Sequence, residues 1–381
     1  MILPEFYYNC LRNYLSESQL LTLEILVWLL QVHKQVRLER LAACFPLPII
    51  YESRRRHLQR FLILPSLSVP LVWFPLIKYI LRTQIPLGSR VVVPLDRTQW
   101  KSNNLLMVSV IWKKRAFPLY WQFLAKAGSS NLHEQIALIR PVLKLLSCYE
   151  VVIVGDREFR SVELASWLKT KKVKFALRTK QDTYFLHKGT NYQKLSEIGL
   201  APGMKLFFTG VTFTKEKGFG QFSLLAYWPR KYRGKAHKEG WYILTNLSHP
   251  EEVIKAYQAR TGIEALFKDC KSGGYNLEGS KAATERLTRL VLLIAIAYTC
   301  ATLHGQTIKH KGVQNYVNRL KEVRRVEQRH SNFWVGLYGL MWIVSLEFCQ
   351  DLVHKVMLTR RNKLSFFQRG LRAMSLIDTA I

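Results

Sequence analysis

The sequence predicts an α/β protein: a mixed sheet flanked by helices, carrying a β-rich insertion, with helical regions before and after it. Three observations lead there. Two short β-branched runs, VVVPL at residues 91–95 and VVIVG at 151–155, each stop at an aspartate, Asp96 and Asp156. Strand-like alternation gives way to helical periodicity between them and beyond them. Residues 1–85 and 306–381 read as helical on either side.

Taken in order, residues 1–85 hold an apolar run at 20–30, then VRLERLAACFPLPI and YESRRRHLQRFL. Arg54, Arg55, Arg56 and Arg60 recur at helical spacing beside Leu58, Phe61 and Leu62, so one helix packs one face and shows cations on another. That fits a small DNA-end recognition domain, and equally a helical cap with a solvated basic face. Residues 86–178 open with a Pro-Leu-Gly turn and the strand that ends at Asp96. Two further strands, 105–112 and 116–123, are joined by Lys113, Lys114 and Arg115. A helix over 133–146, a strand over 151–155, a helix over 159–169 and a strand over 173–178 follow. Residues 179–247 interrupt with KLFFTGVTFT and FSLLAYW, a hairpin-rich insertion. Residues 248–305 return to helix from Pro250 to Ser272, stopped by Gly273 and Gly274, with an apolar helix from Thr284. Residues 306–381 are basic and helical.

Composition bounds the partners. The 381 residues are 49% hydrophobic and 22% charged, as in a folded protein with room for two or three domains. Lys and Arg number 57 against 26 acids, a formal charge of +31 that attracts polyanions, nucleic acid first among them. A ribosome-associated or merely basic protein shares that balance. Cations spread along the whole chain argue against a membrane-surface helix. Six scattered cysteines have neither zinc-knuckle nor redox-pair spacing, which fits a reducing compartment. The first residues lack a signal-peptide pattern, and the apolar stretches at 20–32, 290–303 and 333–346 fall short of the roughly 20 residues of a membrane span. The expectation is a cytoplasmic, nucleoid-associated protein without a membrane partner.

Acids are scarce, so their placement carries weight. A carboxylate at the tip of a buried strand is aimed rigidly and suits a hard cation. Asp96 and Asp156 also have a plainer reading, as turn formers or helix N-caps. The segment AYQARTGIEALFKDCKS adds a third acid. At about 100° per residue, Tyr257, Arg260, Glu264 and Lys271 share an arc of roughly 60° on one helix, in a row about 21 Å long. Ile263, Leu266 and Phe267 form the adjoining apolar stripe. The row suits a metal site beside a phosphate track, or a solvated face with Arg–Glu pairing.

Tyr257-x₂-Arg260-x₃-Glu264-x₆-Lys271 resembles the Y-x₂-R-x₃-E-x₆-K signature of a large group of bacterial insertion-sequence transposases of the DDE class, the insertion sequence four type. An Asp-x-Thr at Asp96–Thr98 and an Asp-Arg-x-Phe at Asp156–Phe159 strengthen the resemblance, which covers roughly residues 86–285. It implies a ribonuclease H-like core, a mixed five-stranded sheet with a β-rich insertion between the second Asp and the Glu. It implies that Asp96, Asp156 and Glu264 hold two Mg²⁺ ions, with Mn²⁺ as substitute, for strand cleavage and strand transfer. Tyr257, Arg260 and Lys271 would contact phosphates at the transposon end. Thr98, Arg157 and Lys281 would join the DNA-facing set. Trp241, in a W-x-x-L-T setting, resembles the base-holding tryptophan of members that pass through a hairpin intermediate. It also suits a core position. Glu158 stands where the second-Asp motif often carries a small residue. The implied partners are terminal inverted repeats and target DNA, bound by a homodimer.

Other features carry less. No His pair has ligand spacing, and SGGYNLEGS at 272–280 matches no nucleotide fingerprint. The cluster Arg230, Lys231, Tyr232, Arg233 and Lys235 suits phosphate tracking or plain exposure. Arg286 and Arg289 are expected to face DNA. Arg324, Arg325, Arg360, Arg361 and Lys363 read as nonspecific contacts or plain surface. Two alternatives stay open: a structure-selective nuclease on the same site, and a non-catalytic repressor derived from a transposase.

Overall fold

A computed structural model describes residues 3–189, 191–215, 219–230, 239–320 and 329–381. Lys231, Tyr232, Arg233, Lys235, Arg324 and Arg325 therefore lie outside the described residues. In chain order the α-helices are α1 (Glu5–Leu11), α2 (Glu17–His33), α3 (Leu38–Cys44), α4 (Tyr51–Phe61), α5 (Phe74–Gln84), α6 (Leu132–Leu145), α7 (Val162–Thr170), α8 (Pro250–Ala259), α9 (Thr261–Cys270), α10 (Thr284–His310), α11 (Asn332–Phe348), α12 (Gln350–Thr359) and α13 (Leu364–Asp378). The strands are β1 (Arg90–Trp100), β2 (Asn103–Trp112), β3 (Arg115–Phe123), β4 (Glu150–Gly155), β5 (Lys174–Arg178), β6 (Tyr184–Leu186), β7 (Gln193–Lys194), β8 (Lys205–Phe213), β9 (Phe219–Tyr227) and β10 (Trp241–Thr245). The chain forms two compact units, Ile77–Phe267 and the pair of segments Met1–Leu76 and Lys268–Ile381.

The unit Ile77–Phe267 is built on one sheet in the order β3-β2-β1-β4-β5-β10-β9-β8-β6-β7. β1 pairs in parallel with β4, and β4 with β5; the other neighbours are antiparallel. The sheet thus has ten strands, where the expectation was a five-stranded core with a β-rich insertion. The strands of residues 179–247 continue the sheet, because β10 pairs with the otherwise open edge of β5 through Ile243–Arg178 and Thr245–Ala176. Local chemistry starts the flanking helices. Asn131 and Glu134 form a reciprocal capping box on α6, and Ser161 caps α7. On one face of the sheet, Val152, Val154, Ala176, Leu225 and Ile243 are buried under Val253, Ala256 and Tyr257 of α8. At about 1.5–3 kcal/mol for each large apolar side chain buried, this contact anchors α8.

The other unit is helical. α10 runs through its centre, with Tyr7 of α1 hydrogen-bonded to Thr299 at 3.0 Å and Gln31 of α2 donating to the Ala297 carbonyl at 3.2 Å. α10 is longer than the apolar stretch of residues 290–303 suggests. It is long and apolar enough to cross a membrane, yet 83% of its most apolar window is buried by protein. Helices α2 and α11 cover it, which is how the core helix of a folded unit meets the same length criterion.

Candidate active site

The parallel pairing of β1 with β4 ends at Leu95–Gly155, and the next residue of each segment is aspartate. Asp96 therefore stands in β1 and Asp156 just past the end of the neighbouring β4, and such strands lie about 4.8 Å apart. Asp156 ends its strand as expected. Asp96 does not, because β1 continues to Trp100 in register with β2, pairing Asp96 with Met107 and Thr98 with Leu105. Asp156 also serves as an N-cap: its Oδ1 accepts the Glu158 N–H at 2.9 Å and starts the 3₁₀ turn Arg157–Phe159.

The helix over residues 250–272 is not continuous. Around Arg260 the backbone tightens, with Arg260 N–H bonding the Tyr257 carbonyl and Ile263 N–H bonding the Arg260 carbonyl, both three residues apart. α8 and α9 result, yet Arg260 still sits over the Tyr257 ring at 5.7 Å and bonds Glu264, so three of the four expected residues stay neighbours. Tyr257 is buried at 4% exposure, while the Glu264 side chain is 53% exposed. Lys271 lies beyond the end of α9, where its Nζ pairs with Glu278 at 2.7 Å. Lys281 is exposed. α9 lies close against the β2–β3 turn because residue 262 is glycine; a Cβ there would sit 2.7 Å from Ile111 Cδ1.

Arg260 joins the acids. Its Nη1 donates to Asp96 Oδ2 at 3.2 Å and its Nη2 to Glu264 Oε1 at 2.5 Å. Asp96 Oδ1 accepts the Arg97 N–H at 2.8 Å. Burial lifts the Asp96 carboxyl to about 7; Arg260 and the Arg97 N–H oppose that rise, and Asp156 and Glu264 add repulsion. The Arg260 guanidinium is held charged against its own burial by Tyr257 and the three acids. Among the described residues, no three such side chains are close enough to hold a metal ion as they stand. The donor set, all carboxylate oxygens, nonetheless has the chemistry of a hard divalent cation site.

A second network lies behind the first. Arg97 Nε donates to both carboxylate oxygens of Glu158, at 3.0 and 2.8 Å, and the backbone and hydroxyl of Ser130 donate to Glu158 Oε1 at 2.9 and 2.8 Å. Arg97 Nη1 also donates to Asn104 Oδ1 at 2.9 Å, and Asn104 Nδ2 donates to the carbonyls of Lys126 and Gly128. The residues following the two aspartates are thus tied together. Glu158 does not point with Asp156; it belongs to this supporting network.

Trp241 is half-buried in the sheet-face core, edge-on to Tyr227 at 5.7 Å and to Tyr257 at 5.1 Å between ring centroids. The Tyr257 hydroxyl is buried facing Arg178; burial raises its pKa, against the pull of Arg260 and Arg178. Arg178, at the end of β5, has its pKa lowered by burial and by the neighbouring charges of Arg157 and Arg260. Glu239 pairs with Arg157 and, at 3.0 Å, with Arg178. Thr98 and Arg157 are half-buried. Sequence reasoning passed over Arg178 and Arg97, and noted Glu158 only as a departure from the second-Asp motif. The signal for Arg178 was present, since 173–178 reads as a strand ending in a charge, as the two aspartate-ended strands do.

A model of the transposase DDE domain family matches residues 106–300, a window that holds Asp156 and Glu264 and begins after Asp96. No curated protein matches the chain. Among solved structures it is similar to the piggyBac transposase in a synaptic complex with hairpin DNA, with a TM-score of 0.44 and 15% identity over 84% of this chain and 70% of that one. It is also similar to the Marinitoga piezophila Argonaute in complex with 5′ OH guide RNA and target DNA, with a TM-score of 0.25 and 11% identity over 68% of this chain and 38% of that one.

Proposed function

The chain belongs to the transposase DDE domain family, and from that premise we propose a cut-and-paste DNA transposase whose catalytic acids are Asp96, Asp156 and Glu264. One observation supports the assignment: the β1–β4 pairing ends at Leu95–Gly155, each followed by an aspartate, and Arg260 reaches from Asp96 to Glu264. The order β3-β2-β1-β4-β5, two antiparallel pairings followed by two parallel ones, supports reading those five strands as a ribonuclease H-like core.

Asp96, Asp156 and Glu264 are the residues that would hold Mg²⁺ or Mn²⁺. Such ions, when bound, activate a nucleophilic oxygen and stabilise the leaving oxygen of an in-line displacement. The chain's own residues set the stage for that chemistry. Arg260, Arg178 and Arg157 line a cationic wall beside the acids and attract the phosphodiester. The Arg97–Glu158 pair holds the two aspartate-bearing segments in register. The proposed substrates are the terminal inverted repeats of the element and a target duplex, brought together by a homodimer in the cytoplasm. A hairpin route, in keeping with the insertion sequence four signature, draws support from Trp241 beside Tyr257 and Arg260.

The test is cleavage and strand transfer on duplexes carrying the element's ends in Mg²⁺. Asp96→Asn, Asp156→Asn and Glu264→Gln are each expected to bind the ends and leave them uncut. Undiminished cutting by any one of them removes that residue from the site. Cleavage without joining would mark a nuclease instead.

A further inference from the structure

In the unit formed by Met1–Leu76 and Lys268–Ile381, a groove of about 440 Å³ opens between α4 and the first turn of α10. It is lined by Ser53, Arg56, Gln59, Arg60, Ile63 and Arg286. Five of these six carry hydrogen-bond donors, three of them guanidiniums, and no carboxylate lines the groove. The nearby acids are engaged elsewhere. Glu52 pairs with Arg55 at 3.0 Å and with Arg56 at 3.5 Å, and Glu285 pairs with Arg289 at 3.4 Å. Among the described residues, neither Arg60 nor Arg286 has an ion-pair partner. The uncompensated charge is felt locally: the His57 pKa is lowered first by burial and then by Arg60.

Like charges gathered from two distant segments repel one another unless an anion lies between them. Three planar guanidiniums with a hydroxyl and an amide suit phosphate oxygens better than a carboxylate side chain, because each fork offers paired donors to a tetrahedral anion. Arg56 and Arg60 are one helical turn apart, so both can reach the same stretch of a backbone. The lining is predominantly cationic and polar, and its one apolar member is Ile63.

We propose that this groove is a phosphate clamp for duplex DNA, gripping the sugar–phosphate backbone without reading sequence. It rests on the transposase reading above and adds a second place of contact, in the helical unit. The residues that make it are Arg60 and Arg286, with Arg56 shared between Glu52 and the DNA.

The experiment measures binding of a duplex oligonucleotide of arbitrary sequence across a salt series, for the wild type, Arg60→Gln, Arg286→Gln and Glu264→Gln. Each arginine variant is expected to lower the slope of log affinity against log salt by about 0.9 per lost phosphate contact, with affinity down about tenfold. Cutting at saturating DNA should stay at the wild-type rate. Glu264→Gln should keep the wild-type slope. Unchanged slopes in both arginine variants, in a wild type that binds and cuts, overturn the clamp alone. Equal slope losses on a single-stranded oligonucleotide overturn its duplex assignment. A wild type that does not bind duplex DNA removes the clamp and the transposase reading together.

Discussion

Arg97, one residue after Asp96, and Glu158, two residues after Asp156, are joined by a hydrogen-bonded ion pair of 2.8 Å. Their side chains are 18% and 12% exposed, so the pair is largely desolvated. Removing one partner leaves the other buried and uncompensated. Glu158→Ala is expected to cost about 3 kcal/mol of stability in urea unfolding. A shift of about 1 Å in the aspartate positions should also slow cutting about 100-fold at saturating DNA. The double variant Arg97→Ala/Glu158→Ala should lose less stability than the sum of the singles. Additive losses would show that the two residues act separately.

Arg260 spans Asp96 and Glu264 through two different nitrogens. Lysine keeps the charge and cannot reproduce the fork. Arg260→Lys is expected to bind duplex DNA within a few-fold of wild type and to cut about 100-fold more slowly. A cutting rate equal to wild type would mean that charge alone is needed there.

Tyr257 buries its ring between α8 and Trp241, while its hydroxyl is buried without an ordinary hydrogen bond. Tyr257→Phe keeps the packing and removes an ill-satisfied polar atom, so its stability should stay within about 1 kcal/mol of wild type. Tyr257→Ala should cost about 3–5 kcal/mol through the cavity it opens. If Tyr257→Phe proves as damaging as the alanine variant, the hydroxyl is holding the structure through a contact that forms in solution.

His304 is buried in α10 with Cys300 Sγ 3.5 Å from its Nε2, and burial lowers its pKa from 6.5 to about 4. Below pH 6.5 the unfolded chain takes up a proton that the folded chain refuses. Stability therefore falls as pH drops from about 6.5 to about 4, then levels off, for a total of about 3 kcal/mol. Urea midpoints across that window should show the loss in wild type and a shallower decline in His304→Leu. Parallel curves for the two proteins would remove His304 from the acid response.

Much of this protein is written in local patterns. Short apolar runs and their flanking turns mark β1 to β5 to within a few residues, because strands covered on both faces read as continuous apolar stretches. The acids at 96, 156 and 264 stand out as candidates because acids are scarce in this chain, 26 against 57 Lys and Arg. What joins these pieces is non-local and was decided by tertiary structure. Strand pairing through β10 joins the β-rich insertion to the same sheet, because an open β5 edge leaves backbone groups unpaired. Tyr257 is buried and Glu264 half-exposed on either side of the tightened turn at Arg260, a difference that a uniform helical wheel does not show. The Arg97–Glu158 pair and the groove between α4 and α10 join residues 61 and more than 200 positions apart. Periodicity is blind to them, because only the folded backbone brings such side chains within reach.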